Sequence, residues 1–220
     1  MLRHFKIFRD VLVRKTYEET LSSCISSLII KNTKKNKVKI LDFGSGYEPS
    51  VMQLVRKKLL PHNINLLSLG FDIYSEEELK DLNTKEGENE KYFNVSEISK
   101  NQEHYDFAVI SDTLHHIDID NKKEIKRTLE LLKSKADFLI IKDHFQYGFI
   151  SNQILRFMDF FGNFYNKIQT PKRYYKKKEF EDLINELNLV VKDKILDKRY
   201  HPSYFLFLAN KKYHFVYLIK

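Results

Sequence analysis

The chain has 220 residues, which at about 150 residues per domain suits one good-sized domain and is too short for two full ones. With 42% hydrophobic and 31% charged residues it can bury a core and is no disordered or fibrous segment, and its single cysteine, Cys24, excludes an intrachain disulfide scaffold and a thiolate zinc cluster. The 38 basic against 30 acidic residues leave a net charge of +8, spread over presumed solvent faces and concentrated only at residues 31–39 and 172–178, so a lysine-rich composition accounts for most of it.

Residues 1–6 carry no apolar signal core, so the chain reads as cytoplasmic. Over residues 11–30, Val11, Leu12, Leu21, Ile25, Leu28 and Ile29 have a spacing compatible with a helix that covers one flank of the fold. Short, nearly continuous apolar runs then alternate with segments of helical period. The runs at 38–41, 65–71, 105–110 and 137–141 predict strands buried on both faces of a parallel sheet, and a weaker one at 91–93 predicts an edge strand. Residues 51–60, 76–82 and 122–132 predict the intervening helices. Strand and helix in alternation imply right-handed crossovers in an open α/β sheet. Residues 149–165 form an aromatic-rich helical stretch, too apolar for water, that packs either as a lid or as core. Residues 178–187 predict a further helix, and 189–196 and 213–219 predict strands. The stretch 204–209 reads either as strand or as a helical turn. It is the longest uninterrupted apolar run, far below the roughly 18 residues that span a bilayer, which argues against integral membrane association.

In an open parallel sheet, ligands bind at the carboxyl ends of the strands. After the first strand comes Asp42-Phe43-Gly44-Ser45-Gly46-Tyr47-Glu48-Pro49-Ser50, an acid and two glycines turning into a helix, with Pro49 suited to its first turn. After the second, Gly70-Phe71-Asp72-Ile73 puts Asp72 where a carboxylate can accept both ribose hydroxyls of an adenosine-containing cofactor, and Asn94 follows the edge strand on the adenine side. A dinucleotide needs bare backbone N–H groups for its pyrophosphate at that helix start. Here Glu48 supplies an anion, and the six-residue stretch from Gly44 ends in Pro49 instead of a third glycine. S-adenosylmethionine, cationic at sulfur and free of phosphate, suits such a loop better than NAD.

Residues 38–46, the Gly70-Phe71-Asp72 turn and the run 105–117 together resemble a class I S-adenosylmethionine-dependent methyltransferase. The Leu114-His115-His116-Ile117 motif and the run 138–144 resemble its small-molecule branch. The resemblance implies a Rossmann-like α/β fold, a mostly parallel seven-stranded sheet with helices on both faces and an antiparallel C-terminal strand. It also implies a single domain: a helical cap at 1–37, a cofactor-binding core at 38–144, a helical lid or substrate region at 145–187 and C-terminal strands at 188–220. By the same resemblance Asp42, Gly44 and Gly46 line the methionine end of S-adenosylmethionine, with Ser45 among the cofactor-binding residues. Asp72 holds the ribose, Ile73, Asn94 and Val95 surround the adenine, and the backbone of Ser111 meets the amino group. Three departures stand out: Tyr47 where the family has a small residue, Asn94 where an acid is common, and Lys133-Ser134-Lys135-Ala136 in place of a Pro-Gly-Gly turn. Lys142-Asp143-His144, the segment 157–163 and His214-Phe215-Val216 are similar to a bacterial subgroup often linked to surface glycans or secondary metabolites.

Methyl transfer to a hydroxyl needs alignment and a base. His115, His116 and His144 fall after the fourth and fifth strands, beside the expected methyl, and Asp143 can orient one of them; the alternative is a structural hydrogen bond or a pocket wall. Side-chain alternation lets only one of His115 and His116 face the substrate. No metal site is expected, although Asp112, His115, His116 and Asp118 are suitable ligand types. His4, His62, His104, His201 and His214 read as surface or packing residues. Arg14 and Tyr17 either close over the methionine carboxylate or lie on the surface. Phe145, Tyr147, Phe149, Phe157, Phe161, Tyr174 and Tyr175 either wall an apolar pocket or belong to the core. The expected acceptor is a small molecule, lipid or glycan. RNA is the alternative suggested by the basic cluster at 172–178, but Ser111-Asp112-Thr113-Leu114 stands where a base-methylation signature of Asn-Pro-Pro-Tyr type belongs. A non-catalytic scaffold is the other alternative, and the retained Asp42, Gly44, Gly46 and Asp72 speak against it.

Overall fold

In a computed structural model, the structure describes residues 14–46, 50–85, 89–117, 119–163, 169–201 and 210–220. Tyr47, Glu48, Pro49, Asp118, residues 1–13 and the ambiguous stretch 204–209 lie outside them, as does the side chain of Phe161. Seven strands, β1 (Lys37–Phe43), β2 (Asn65–Asp72), β3 (Glu90–Asn94), β4 (Tyr105–Ser111), β5 (Ala136–His144), β6 (Val191–Leu196) and β7 (His214–Ile219), form one sheet in the order β3-β2-β1-β4-β5-β7-β6. β1 to β5 are mutually parallel, and β7 runs antiparallel between β5 and β6. This is the expected architecture. No helix among the described residues is long and apolar enough to cross a membrane.

The helices are α1 (Lys15–Asn32), α2 (Ser50–Leu59), α3 (Glu76–Lys85), α4 (Lys122–Lys135), α5 (Phe149–Asn163) and α6 (Lys177–Glu186). Local chemistry sets several of their ends. Ser75 and Glu78 cap α3 reciprocally, and Glu76, Glu77 and Glu78 complement its N-terminal dipole. Asn121 caps α4 by accepting the Glu124 N–H. Alternating residues of each strand face opposite sides of the sheet. Ile40, Phe107, Val109, Ile140 and Val216 pack with Leu21, Ile25 and Leu28 of α1 and Met52 and Val55 of α2. Leu41, Ala108, Ile110, Leu139 and Phe215 pack with Leu129 of α4 and Phe180 of α6. Helices therefore cover both faces.

Strand order reverses between β1 and β4, which leaves a crevice at their carboxyl ends. One boundary departs from expectation in a way that matters there. β5 does not stop at Ile141 but continues through Lys142, Asp143 and His144, because these pair with Val216, Phe215 and His214 of β7. His144 is thus the last residue of a strand, not part of the loop beyond it.

Candidate active site

On the β1–β2 side of the crevice the chain leaves β1 through Gly44 (φ 76°) and Gly46 (φ 68°), both left-handed. The Gly44 N–H donates to the Phe71 carbonyl at 2.8 Å, and a Cβ on Gly44 would lie 2.1 Å from Thr113 Oγ1. Space at the corresponding point of Gly46 is open. Asp72, at the end of β2, accepts the Gly46 N–H on Oδ2 and the Ile73 N–H on Oδ1, each at 2.7 Å. Each oxygen keeps a further lone pair. Ser45 Oγ lies 2.7 Å from Tyr74 OH, which donates on to the Gly46 carbonyl at 2.6 Å, so the loop is tied to β2 at several points. Ile73 projects into solvent, 77% exposed. The Asn94 amide serves the backbone: Nδ2 donates to the Tyr74 carbonyl at 2.7 Å, and Oδ1 accepts the Ser96 N–H at 3.0 Å, capping a 3-10 turn that begins at half-buried Val95. Across the crevice, half-buried Ser111 ends β4, its carbonyl accepting Thr113 Oγ1 at 2.9 Å.

Asp42 is buried in β1, and burial, with the nearby Asp72 and Glu90, pushes its carboxyl up to about 7. A cationic ligand beside it would draw it into the charged form. The open space over Gly46, the spare lone pairs of Asp72, exposed Ile73 and the two acids suit a nucleoside that carries positive charge and no phosphate.

On the β4–β5 side lies a dense polar cluster. After β4 the chain enters a left-handed residue, Asp112 (φ 50°), whose N–H donates to the Lys142 carbonyl at 3.0 Å, and then a 3-10 turn, Leu114–His116. Asp143 is fully buried; Oδ1 meets His115 Nδ1 at 2.7 Å and accepts the His144 N–H at 2.7 Å, while Oδ2 accepts the His115 N–H at 3.2 Å. The Lys142 ammonium, also fully buried, pairs with Asp112, which further accepts the Tyr17 hydroxyl from α1. His144 Nδ1 stands 3.3 Å from Asp112 Oδ1 and 3.6 Å from Asp143 Oδ1. From α5, Asp159 Oδ1 stands 3.5 Å from His115 Nε2 and 3.6 Å from His116 Nε2.

These contacts split the histidines. Burial favours the neutral His115 ring, but the combined pull of Asp143, Asp159 and Asp112 outweighs it and lifts the ring to about 10. Burial and the neighbouring Lys142 lower His144, and burial with His115 lowers His116, which leaves both neutral at physiological pH. Burial opposes ionisation of Asp143, yet His115 and His144 hold it well below the usual carboxylate range.

The sequence-derived candidates thus fall into two sets, Asp42 to Val95 at the ends of β1, β2 and β3, and Ser111, His115, His116, Asp143 and His144 at the ends of β4 and β5. Several expectations need correction. His115 and His116 sit on a 3-10 turn, where strand alternation does not operate; their rings are 4.2 Å apart and both Nε2 atoms approach Asp159. His214 and His201 are not isolated: the His214 ring is buried 4.6 Å from His144 and 5.4 Å from His201. Arg14 pairs with Glu18, whereas Tyr17 reaches the cluster. Phe145 stacks on Phe215 at 3.9 Å in the core, with buried Tyr175 in the same cluster, and Tyr174 lies against His115 and His144; Tyr147, Phe149 and Phe157 are exposed. Sequence reasoning missed Lys142 as a site residue, although a lysine continuing an apolar strand is a signal. Asp159, the lone acid among the aromatics of 157–161, was another.

Residues 14–193 match the model of a family described as a methyltransferase domain. No curated protein matches the sequence. Among solved structures, magnesium protoporphyrin IX methyltransferase from Synechocystis PCC 6803, with bound S-adenosylmethionine, is 14% identical with a TM-score of 0.58, over 94% of this chain and 80% of that one. An S-adenosylmethionine-dependent methyltransferase from Clostridium acetobutylicum ATCC 824 is 15% identical, TM-score 0.59, over 100% and 98% of the two chains. An O-methyltransferase family 2 protein from Planctomyces limnophilus DSM 3776, in complex with apigenin, is 17% identical, TM-score 0.56, over 83% of this chain and 51% of that one. At these identities the likeness is one of fold.

Proposed function

The chain belongs to the methyltransferase-domain family, and from that premise we propose that it transfers a methyl group from S-adenosylmethionine to a hydroxyl of a small-molecule, lipid or glycan acceptor, as a member of the family's small-molecule branch. The observation that carries this reading is the buried histidine–carboxylate cluster on β5 and the turn after β4, across the crevice from the glycine loop. When bound, the cofactor supplies an electrophilic methyl on a positively charged sulfur. The chain's own task is to hold the donor and acceptor about 3 to 3.5 Å apart and to remove a proton.

Asp72 receives the ribose on its spare lone pairs, and Ile73, Asn94 and Val95 border the adenine. Asp42, Gly44, Ser45 and Gly46 line the amino-acid end with the backbone of Ser111. Among the three candidate bases, His144 takes the acceptor's proton. Its Nδ1 faces Asp112 and Asp143, which leaves Nε2 to receive the proton while the two carboxylates stabilise the charge that arrives. Asp143 orients His144 and His115 together; His115 and His116 form the wall on the α5 side. Within the region 145–187, α6 packs on the sheet through Phe180 and Leu183 while α5 serves as lid and acceptor surface, and its exposed Phe149, Ile150, Phe157 and Phe160 suit an acceptor with an apolar portion.

The test is methyl transfer from labelled S-adenosylmethionine to a panel of phenols, glycans and hydroxylated lipids. Transfer to oxygen is expected, with His144→Ala lowering kcat by about 10²–10⁴ and leaving donor affinity within twofold. Methylation confined to nitrogen or to RNA, or a His144→Ala enzyme with wild-type kcat, would overturn the reading.

A further inference from the structure

Beyond methyl transfer, the turn after β4 and α5 together carry a donor arrangement of a different kind. Asp159 Oδ1 lies 3.5 and 3.6 Å from the Nε2 atoms of His115 and His116. That spacing is long for an N–H···O hydrogen bond, whose usual range ends near 3.2 Å. It is close to the separation of roughly 3.3–3.4 Å expected between two ligand atoms held at about 2.0–2.1 Å from one tetrahedral zinc ion. The three ligand atoms all lie within 4.8 Å of one another. His115 Nε2 is buried and makes no hydrogen bond among the described residues.

The opposite nitrogens are already turned outward to supporting groups. His115 Nδ1 meets the Asp143 carboxylate at 2.7 Å, and His116 Nδ1 meets the Gln169 carbonyl at 3.3 Å. Metal-bound histidines are held in this manner, one nitrogen to the ion and the other to a carboxylate or a backbone carbonyl. We propose that His115 Nε2, His116 Nε2 and the Asp159 carboxylate bind one divalent transition-metal ion of the zinc type, with a fourth position left open. Two imidazoles and one carboxylate suit zinc, cobalt or nickel rather than magnesium or calcium, which prefer all-oxygen sites. Of the three side chains His116 is the most exposed, at 21%, so the ion enters on its side. The neighbouring set Asp112, His115, Asp143 and His144 is equally compact. There, however, the buried Lys142 ammonium pairs with Asp112 and would repel a second cation. On binding, the ion would take the place of the Nε2 proton that His115 otherwise carries, with release of that proton, and would tie α5 to the sheet through the turn that follows β4.

Metal uptake is measured without S-adenosylmethionine, so its failure and the failure of the methyl-transfer reading are separate results. Full-length protein without an affinity tag, stripped with chelator, is titrated with zinc by calorimetry and with cobalt by visible absorption. One equivalent should bind, cobalt should give the intense visible bands of a four-coordinate site, and Asp159→Asn and His116→Gln should each weaken binding at least tenfold. His104→Ala, which removes an exposed histidine, should leave binding unchanged. Wild-type protein that takes up no stoichiometric metal overturns the proposal, whatever the variants do. So does binding that survives both Asp159→Asn and His116→Gln in folded protein.

Discussion

Asp42 sits in the middle of the sheet at the carboxyl end of β1, paired in register with Gly70 of β2 and Val109 of β4. A carboxylate there is desolvated and shares its surroundings with Asp72 and Glu90, so its folded-state value rises from 3.8 to about 7. The native protein therefore holds a proton between about pH 4 and 7 that the unfolded chain has released. This group's contribution to stability is complete below the unfolded value and is lost as pH rises through 7. Asp42→Asn cannot titrate. Urea unfolding at pH 5 and pH 8 should show the wild type losing on the order of 2 kcal/mol more than the variant over that interval; equal losses would show that Asp42 is already ionised at pH 5. Under the proposed function the same linkage applies to cofactor binding, since a cation beside Asp42 would recover the charge that burial suppresses.

At the scale of elements, the glycine loop and the β4 turn are fitted to each other. Gly46 needs only its left-handed φ, whereas Gly44 needs both that φ and the space that Thr113 fills. An alanine at either position pays a left-handed penalty of about 1–2 kcal/mol. Gly44→Ala should lose more than Gly46→Ala in thermal or urea unfolding, and adding Thr113→Ala should restore part of the excess. Equal losses, or no recovery in the double variant, would mean that the loop and turn do not touch as described. This loop was legible in the sequence because glycine spacing is a local signal, and β1, β2 and β4 were legible because each is an apolar run bounded by polar residues. The extension of β5 was not. Lys142, Asp143 and His144 are poor strand formers by composition, and what keeps them extended is pairing with residues 214–216, some 70 positions away in the chain. The convergence of His115 and His116 on Asp159 was hidden for the same reason, since it depends on a 3-10 turn and on how α5 docks.

At the scale of the whole molecule, both basic clusters are partly paired with acids among the described residues. In the first basic cluster Lys31, Lys35 and Lys39 pair with Asp193, Asp106 and Glu103. In the second, Arg173 pairs with Glu179 and Asp120, and Lys178 with Asp182. Pairs this exposed add little stability, but they neutralise part of the footprint that a nucleic acid would need. What the molecule does concentrate at one end of the sheet is the set of candidate site residues: a glycine loop on β1 and β2, a histidine–carboxylate cluster on β4 and β5, and an aromatic helix, α5, linked to that cluster through Asp159.

Isothermal titration of S-adenosylmethionine into the wild type, Asp72→Ala and His144→Ala probes that division of labour. One cofactor should bind the wild type; Asp72→Ala should weaken binding tenfold or more, about 1.4 kcal/mol, and His144→Ala should leave it within twofold. A wild-type protein that binds no S-adenosylmethionine, or an Asp72→Ala protein that binds it with undiminished affinity, would contradict the assignment of the crevice between β1 and β4 as the donor site.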